Sequence, residues 1–313
     1  MIQLEHISKR FGRRLAVQDL SLEVPRGEIY GLLGHNGAGK STAIGIMLGQ
    51  VWPSGGRVRI CGHEVTRDRG RALSKVGAIF ESPAFYDYLS GWRNLEILSS
   101  YTRPTPPGRI REIIEWVGLS GREHSKVRTY SHGMRARLAL AQTLLPEPEL
   151  LILDEPSDGL DPEGIHEMRQ TILRLHREMG LTILLSSHFL NEVEQLCGRI
   201  AVLSQGKKVF EGSLAETRHR ESRVRLDTPD FAGAAGQLRA AGLIRDAVPE
   251  GNVLLLNGGV ETHQVVRFLV ERGFAVNGIA REQRTLEDFY LSLMETERGG
   301  KRPVGGAAAW PAN

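Results

Sequence analysis

The chain has 313 residues, of which 41% are hydrophobic and 25% are charged, as in an ordinary soluble protein of about two domains. The formal net charge of +3 is small for this length and gives no reason to expect nucleic-acid binding. The sequence shows neither a signal-peptide pattern nor an apolar run of the roughly 20 residues that a membrane span needs. We therefore expect a cytoplasmic protein that reaches a membrane only through a partner.

The first strongly predicted element is a buried strand at residues 28–33, followed by a glycine-rich loop and a helix at residues 42–48. In this context the pattern Gly-x-x-x-x-Gly-Lys-Ser/Thr binds nucleotide phosphates, because its glycines let several backbone N–H groups point into one concavity. Lys40 reaches the outer phosphates and the Ser41 hydroxyl ligates Mg²⁺. The candidate phosphate-binding residues are Gly34, His35, Asn36, Gly37, Ala38, Gly39, Lys40, Ser41 and Thr42.

A second candidate anion site lies at the start of a helix predicted at residues 134–145. Ser131 and Gly133 precede the first residues of this helix, and a serine and a glycine at a helix N-terminus can hold an anion. An ordinary helix cap is the alternative. Since the chain has one phosphate loop, a second anion site has a use if it serves the nucleotide of another subunit.

Two continuous apolar runs, residues 150–153 and 181–185, are typical of parallel strands covered on both faces. Each leads to polar residues at the carboxyl end of a strand, where ligands bind in open parallel sheets. Asp154 can hold Mg²⁺ beside the loop serine, and Glu155 can orient or deprotonate a water. His188, as a neutral imidazole, can bond the terminal phosphate or position the water. Taken singly, an acidic turn and a structural histidine remain the alternatives.

The pattern changes after residue 213. We predict an α/β nucleotide-binding domain at residues 1–213, a small α+β accessory domain at residues 214–296, and a disordered Gly/Pro/Ala-rich tail at residues 297–313. In the accessory domain, strands are predicted at residues 223–226, 253–256 and 274–279, and helices at residues 231–241, 263–271 and 286–294.

With its motifs in this order, the stretch from residue 2 to residue 215 resembles the ATP-binding subunits of ABC transporters. The resemblance implies a P-loop ATPase domain with a mixed sheet core and a helical subdomain, and ATP and Mg²⁺ as cofactors. The matching motifs are Phe11 for the residue that stacks on adenine, residues 34–42 for Walker A, residues 130–134 for the signature, residues 150–155 for Walker B and the catalytic Glu155, residues 157–161 with Asp161 for the D-loop, and His188 for the switch histidine. In this family two domains pair head to tail, so that Ser131 and Gly133 of each contact the ATP of the other.

The chain departs from the family pattern in two places. The signature is usually Leu-Ser-Gly-Gly-Gln, but here it has His132 at a glycine position and Met134 at the end. The second departure is Glu81, where a glutamine that touches Mg²⁺ and the water is usual. A glutamate at this position is similar to the bacitracin- and lantibiotic-resistance branch of the family. The resemblance makes Glu81 a candidate catalytic residue and metal ligand, with drift at a tolerant position as the alternative.

The resemblance implies an ATP-hydrolysing exporter subunit, peripheral on the inner face of the cell membrane, for a peptide antibiotic or other drug. Its expected partners are a multi-span permease and a second ATPase subunit, as a homodimer or heterodimer. Motion would pass to the permease through residues 81–95, where Phe85, Tyr86, Tyr88 and Trp92 are concentrated. A cluster that merely anchors a loop is the alternative for these aromatic residues.

Three other classes of function are weighed against this one. A soluble ABC ATPase that acts on ribosomes or DNA usually has two cassettes or a long coiled-coil insertion, and this chain has one cassette and no heptad run. An importer subunit is the second alternative. A binding module that has lost hydrolysis is the third, and the intact Lys40, Asp154, Glu155 and His188 argue against it.

Overall fold

The computed structural model describes residues 1–80, 84–101, 104–218, 223–282 and 285–297. The chain divides into two compact units, Met1–Ser213 and a second that begins at Leu214. The prediction of Glu81 as a site residue lies outside the described residues. The predicted disordered tail, residues 297–313, also lies outside them except for Glu297, which is the last residue of a helix. None of the helices in the described ranges is long and apolar enough to cross a membrane.

The first unit contains two sheets. Its elements are β1 (Ile2–Phe11), β2 (Arg14–Val24), β3 (Ile29–Leu33), α1 (Lys40–Met47), β4 (Gly55–Ile60), β5 (His63–Glu64), α2 (Arg69–Leu73), β6 (Val76–Ile79), α3 (Gly91–Ser100), α4 (Pro107–Trp116), α5 (His132–Leu144), β7 (Leu150–Asp154), α6 (Pro162–Met179), β8 (Thr182–Ser187), α7 (Leu190–Leu196), β9 (Arg199–Ser204) and β10 (Lys207–Ser213). Among the described residues, one sheet is antiparallel in the order β2-β1-β4-β5. The other is mixed, in the order β10-β9-β3-β8-β7-β6, with only the β10–β9 pair antiparallel.

The mixed sheet positions the site. Strands β7 and β8 are buried along their whole length and pair in parallel, which confirms the prediction made from the two apolar runs. Strand β3, also fully buried, is the parallel neighbour of β8. Because the three strands run in the same direction, the residues that follow Leu33, Asp154 and Ser187 meet at one edge of the sheet.

Helix α6 shows how local sequence fixes an element that flanks this edge. Asp161 caps it, its Oδ1 accepting from the backbone N–H of Gly164 at 2.8 Å, and Pro162 occupies the first helical position. The helix ends at Gly180, whose φ of 68° lies in the left-handed region that favours glycine. Its buried residues recur at the helical period: Gly164, Met168, Ile172 and Leu175.

The second unit is α+β, as the sequence predicts. Its elements are α8 (Leu214–Arg218), β11 (Arg223–Asp227), α9 (Phe231–Ala240), β12 (Ile244–Val248), β13 (Val253–Leu256), α10 (Thr262–Glu271), β14 (Gly278–Glu282) and α11 (Leu286–Glu297). In the described residues its sheet is antiparallel throughout, in the order β12-β13-β11-β14. Val224, Leu226 and Leu254 from the sheet form one core with Leu238 of α9 and Leu269 of α10.

Candidate nucleotide-binding site

A cavity of about 560 Å³ is lined by residues that follow β3, β7 and β8 and by residues of β1 and β2 beside the turn that joins them. Phe11, Glu155 and His188 all face it, although they are far apart in sequence. The phosphate loop contributes His35, Asn36, Gly37, Gly39, Lys40, Ser41 and Thr42 to the lining. The fold therefore brings the candidate adenine-stacking residue, the phosphate loop and two candidate catalytic residues into one site.

The glycines of the loop are required by both conformation and space. Gly37 and Gly39 have φ angles of 82° and 107°, in the left-handed region. A Cβ on Gly39 would lie 2.6 Å from the carbonyl oxygen of Ala16, so no side chain fits there. Helix α1 begins directly after Gly39, and no described side chain caps its N-terminus. Its first N–H groups are thus available to an anion in the cavity.

Lys40 lies at the bottom of this cradle with 5% of its side chain exposed. Its Nζ donates to the carbonyl oxygen of Gly34 at 2.6 Å and lies 3.2 Å from Oε1 of Glu155. The buried ammonium is therefore neutralised by the candidate catalytic carboxylate. An anion that enters the cavity competes with Glu155 for this ammonium.

Glu155 is held in an unusual backbone conformation, with a φ of 48°. Left-handed backbone in a residue other than glycine costs about 1–3 kcal/mol and is concentrated at functional sites. Two hydrogen bonds from the Glu155 N–H maintain it, one to the carbonyl oxygen and one to the hydroxyl of Ser186, at 3.2 and 3.0 Å. In this position Oε2 lies 2.7 Å from Nδ1 of His188 and accepts from the His188 backbone N–H at 3.2 Å.

Asp154, the last residue of β7, is 9% exposed. Burial raises the pKa of its carboxyl above the ordinary value, although hydrogen bonds from Ser186 and Ser41 oppose the shift. The Ser186 hydroxyl lies 2.5 Å from Oδ1. The buried carboxylate and the Ser41 hydroxyl form an oxygen pair of the kind that Mg²⁺ prefers. These two predicted metal ligands are thus adjacent, whereas the third, Glu81, lies outside the described residues.

Replacing Asp154 with asparagine should raise the melting temperature of the nucleotide-free protein by about 2–4 °C, the shift that about 1 kcal/mol produces in a unit of this size. Because the pKa is raised by the fold, ionised Asp154 destabilises the folded state, and this destabilisation grows as the pH rises through the raised pKa. The increase in melting temperature should therefore become smaller at acidic pH. Thermal unfolding measured across a pH series checks this. Asp158→Asn, at an exposed position, is the control; an Asp154→Asn variant that melts lower at neutral pH contradicts the prediction.

Five predicted nucleotide contacts are absent from the described lining of this cavity: Gly34, Ala38, Ser131, Gly133 and Asp161. Ser131 caps α5, its hydroxyl accepting from the N–H of Met134 at 3.2 Å. The space around Gly133 is open, since a Cβ there would meet no described atom closer than the Ser131 hydroxyl at 4.0 Å. The Asp161 side chain caps α6. Ser131 and Gly133 therefore contribute nothing to the described lining of this cavity.

The sequence reasoning missed a buried carboxylate that connects two loops of the site. Glu192 of α7 is 4% exposed and accepts hydrogen bonds from the hydroxyls of Ser157 and Ser187, the latter at 2.9 Å. Ser157 follows Glu155 by two residues and Ser187 immediately precedes His188. Glu192 therefore holds the segments that carry Glu155 and His188. In the sequence, this residue is marked only as a glutamate four residues after His188. That position is equally typical of an exposed helix residue.

Proteins of known family are similar to this chain over most of its length. The sequence profile of ABC transporters matches residues 17–158. The chain is 45% identical to the uncharacterized ABC transporter ATP-binding protein YhcH of Bacillus subtilis (strain 168), over 67% of this chain and 68% of that protein. It is 36% identical to the bacitracin transport ATP-binding protein BcrA of Enterococcus faecalis, over 94% and 96%. It is 33% identical to the daunorubicin resistance ATP-binding protein DrrA3 of Streptomyces coeruleorubidus, over 95% and 96%.

The fold is similar to a solved ATP-binding cassette, a dimer in a post-hydrolysis state with ADP and Pi bound. The TM-score is 0.61 at 25% identity, over 68% of this chain and 99% of the cassette. Fold and site together define a P-loop ATPase, a class of protein that binds nucleotide. The chain belongs to the ABC transporter family, as one of its ATP-binding subunits. The resemblance predicted from the sequence is confirmed.

Proposed function

We propose that this chain is the ATP-hydrolysing subunit of an ABC exporter for antibiotics or related drugs. In this proposal two such subunits bind ATP between them and act on a multi-span permease at the inner face of the membrane. The observation that carries it is the cluster of Lys40, Glu155 and His188 in one cavity, whose described lining does not include Ser131 or Gly133.

In this proposal each side chain has a role that its contacts support. Lys40 exchanges Glu155 for phosphate oxygens when ATP enters, which releases the carboxylate to orient or deprotonate the attacking water. Mg²⁺, when bound by Ser41 and Asp154, would offset the charge of the outer phosphates. His188 holds Glu155 through Nδ1, so it can donate to a phosphate oxygen only through Nε2.

The second subunit completes the site. In the proposed dimer Ser131 and the N-terminus of α5 in one subunit reach the terminal phosphate bound by the other. Without that phosphate the two subunits have no anion to share at their interface. ATP therefore makes the closed dimer more favourable than the separated subunits, which is the difference in affinity that closure requires. Hydrolysis removes this contact and lets the subunits separate. The dimeric cassette to which the fold is similar supports this arrangement.

An exposed aromatic surface supports contact with a permease. Tyr88 and Tyr101 are 66% and 74% exposed, and Tyr86 is 40% exposed. The rings of Tyr86 and Tyr88 lie 6.1 Å apart in an edge arrangement, and Tyr86 is hydrogen-bonded to Tyr101. We name these three residues the tyrosine patch. Exposed aromatic clusters mark interaction sites, because water contact is unfavourable for them. The names of BcrA and DrrA3 support an antibiotic or drug as the cargo.

The permease partner is tested by replacing the tyrosine patch with serines in a tagged chain expressed in its native cells. The unchanged chain should co-purify with a multi-span membrane protein from detergent extracts, and the patch variant should recover at least tenfold less of it by quantitative mass spectrometry. Trp52→Ser is the matched control, because Trp52 is exposed to the same extent as Tyr88. Co-purification with ribosomes, or with a substrate-binding protein of an importer, would contradict the exporter proposal.

A further inference from the structure

The turn between β1 and β2 places an arginine at the nucleotide cavity beside Phe11. Phe11 and Arg14 are register partners across a tight turn formed by Gly12 and Arg13. Directly opposed residues of an antiparallel pair project from the same face, so the two side chains enter the cavity together. Both line it. Nη2 of Arg14 lies 3.4 Å from the position that a Cβ on Gly37 would occupy. The guanidinium therefore lies over the phosphate loop.

The charge of Arg14 is not compensated by the protein. Two carboxylates are in the described lining of the cavity, Glu155 and Asp158, and both follow β7. Glu155 already forms an ion pair with Lys40. Arg14 is exposed and has no hydrogen bond or ion pair with any described residue. Two cations, Arg14 and Lys40, thus face one glycine-rich loop. Such an arrangement is favourable when an anion of more than one charge lies between them.

We propose that Arg14 is a phosphate-binding residue of this site and that its guanidinium binds the phosphates that ATP and ADP share. This inference rests on the proposed function in taking Phe11 as the adenine end of the cavity. Since Arg14 lies beside Phe11, it meets the phosphates next to the nucleoside, whereas Glu155 and His188 mark the terminal phosphate. The planar fork of the guanidinium suits two oxygens of adjacent phosphates. Arg14 therefore sets affinity for the nucleotide without distinguishing ATP from ADP.

The test measures the dissociation constants of ATP and ADP by calorimetry for the full chain and its Arg14→Ala, Arg14→Lys and Arg13→Ala variants. Arg14→Ala should weaken both nucleotides about tenfold and to the same extent, the loss expected for hydrogen bonds to a charged group. The nucleotide affinity of Arg14→Lys should lie between those of the unchanged chain and Arg14→Ala. The lysine ammonium keeps the positive charge but cannot form the two parallel hydrogen bonds of the planar guanidinium. Arg13→Ala is the matched control, since Arg13 is adjacent and exposed but does not line the cavity, and it should bind as the unchanged chain does.

Equal affinities for Arg14→Ala and Arg13→Ala would overturn the proposal. Loss of ATP affinity with ADP affinity unchanged would also overturn it, because that result places Arg14 at the terminal phosphate. Lys40→Ala separates this failure from failure of the proposed function. If Lys40→Ala loses nucleotide and Arg14→Ala does not, only the Arg14 proposal fails; if the unchanged chain binds neither nucleotide, both fail. Equal melting temperatures without nucleotide for the unchanged chain and its Arg14 and Arg13 variants confirm that these variants are folded.

Discussion

Glu155→Gln should reduce ATP turnover on the order of 100- to 1,000-fold while ATP binding is retained, because a positioned general base contributes about that much. Glutamine keeps the shape of the side chain and one acceptor oxygen for the His188 N–H. It cannot accept a proton from water. It also lacks the charge that pairs with Lys40 at 3.2 Å, so the lysine becomes more available to phosphate. ATP affinity should therefore stay the same or increase.

Turnover is measured as phosphate release at saturating ATP, and trapped dimer by size-exclusion chromatography with ATP and Mg²⁺. The dimer of the unchanged chain should be transient, because the chain hydrolyses its ATP. The dimer of Glu155→Gln should persist through the column. Glu149→Gln is the matched control: Glu149 precedes β7 at the opposite end from Glu155 and forms an exposed pair with Arg26. Exposed ion pairs contribute little to stability, so the turnover of Glu149→Gln should equal that of the unchanged chain. Normal turnover in Glu155→Gln would reject Glu155 as the catalytic base.

The phosphate loop and the strands around it could be predicted from sequence because their signals are local. The spacing of Gly34, Gly39 and Lys40 is a backbone requirement, and wholly buried strands such as β7 appear as uninterrupted apolar runs. Helix α6 was not predicted, although its cap at Asp161 and its apolar spacing are visible in the sequence. Its mostly polar composition conceals that spacing, since only one face is buried.

Elements whose limits depend on distant partners could not be predicted in the same way. The strand predicted at residues 274–279 is wrong in its first four residues: β14 runs over Gly278–Glu282, because its register is set by pairing with β11. Strand β12, at Ile244–Val248, was missed because only Ile244 of its residues is fully buried. Strand β1 alternates imperfectly, with register shifts between Leu4 and Arg10.

The same distinction applies to the site. Lys40, Asp154 and His188 lie in motifs or at strand ends, and the fold brings them together as expected. Glu192 and Arg14 lie in ordinary sequence surroundings and reach the site only through tertiary contacts. Glu192 bonds to hydroxyls 5 and 35 residues away, and Arg14 lies over a loop that follows a different strand. No local spacing marks such residues.

Lys40→Ala should weaken ATP binding about 100-fold, because several charge-assisted hydrogen bonds to phosphate are lost together. The same change should lower the melting temperature of the nucleotide-free protein. Removing one partner of a buried pair leaves the other charge uncompensated, and Glu155 would then lie beside Asp154 with no cation between them. Affinity is measured by calorimetry and stability by thermal unfolding. Lys75→Ala, at an exposed lysine, is the control for both.

The double variant Lys40→Ala with Glu155→Gln separates the two effects of the lysine. If the lower stability of Lys40→Ala comes from the uncompensated carboxylate, the double variant should recover most of the melting temperature, because the amide carries no charge. Its ATP affinity should stay low, since the ammonium that meets the phosphates is still absent. Recovery of affinity together with stability would mean that Lys40 acts only by neutralising Glu155. Full ATP affinity in the single Lys40→Ala variant would count against the phosphate cradle itself.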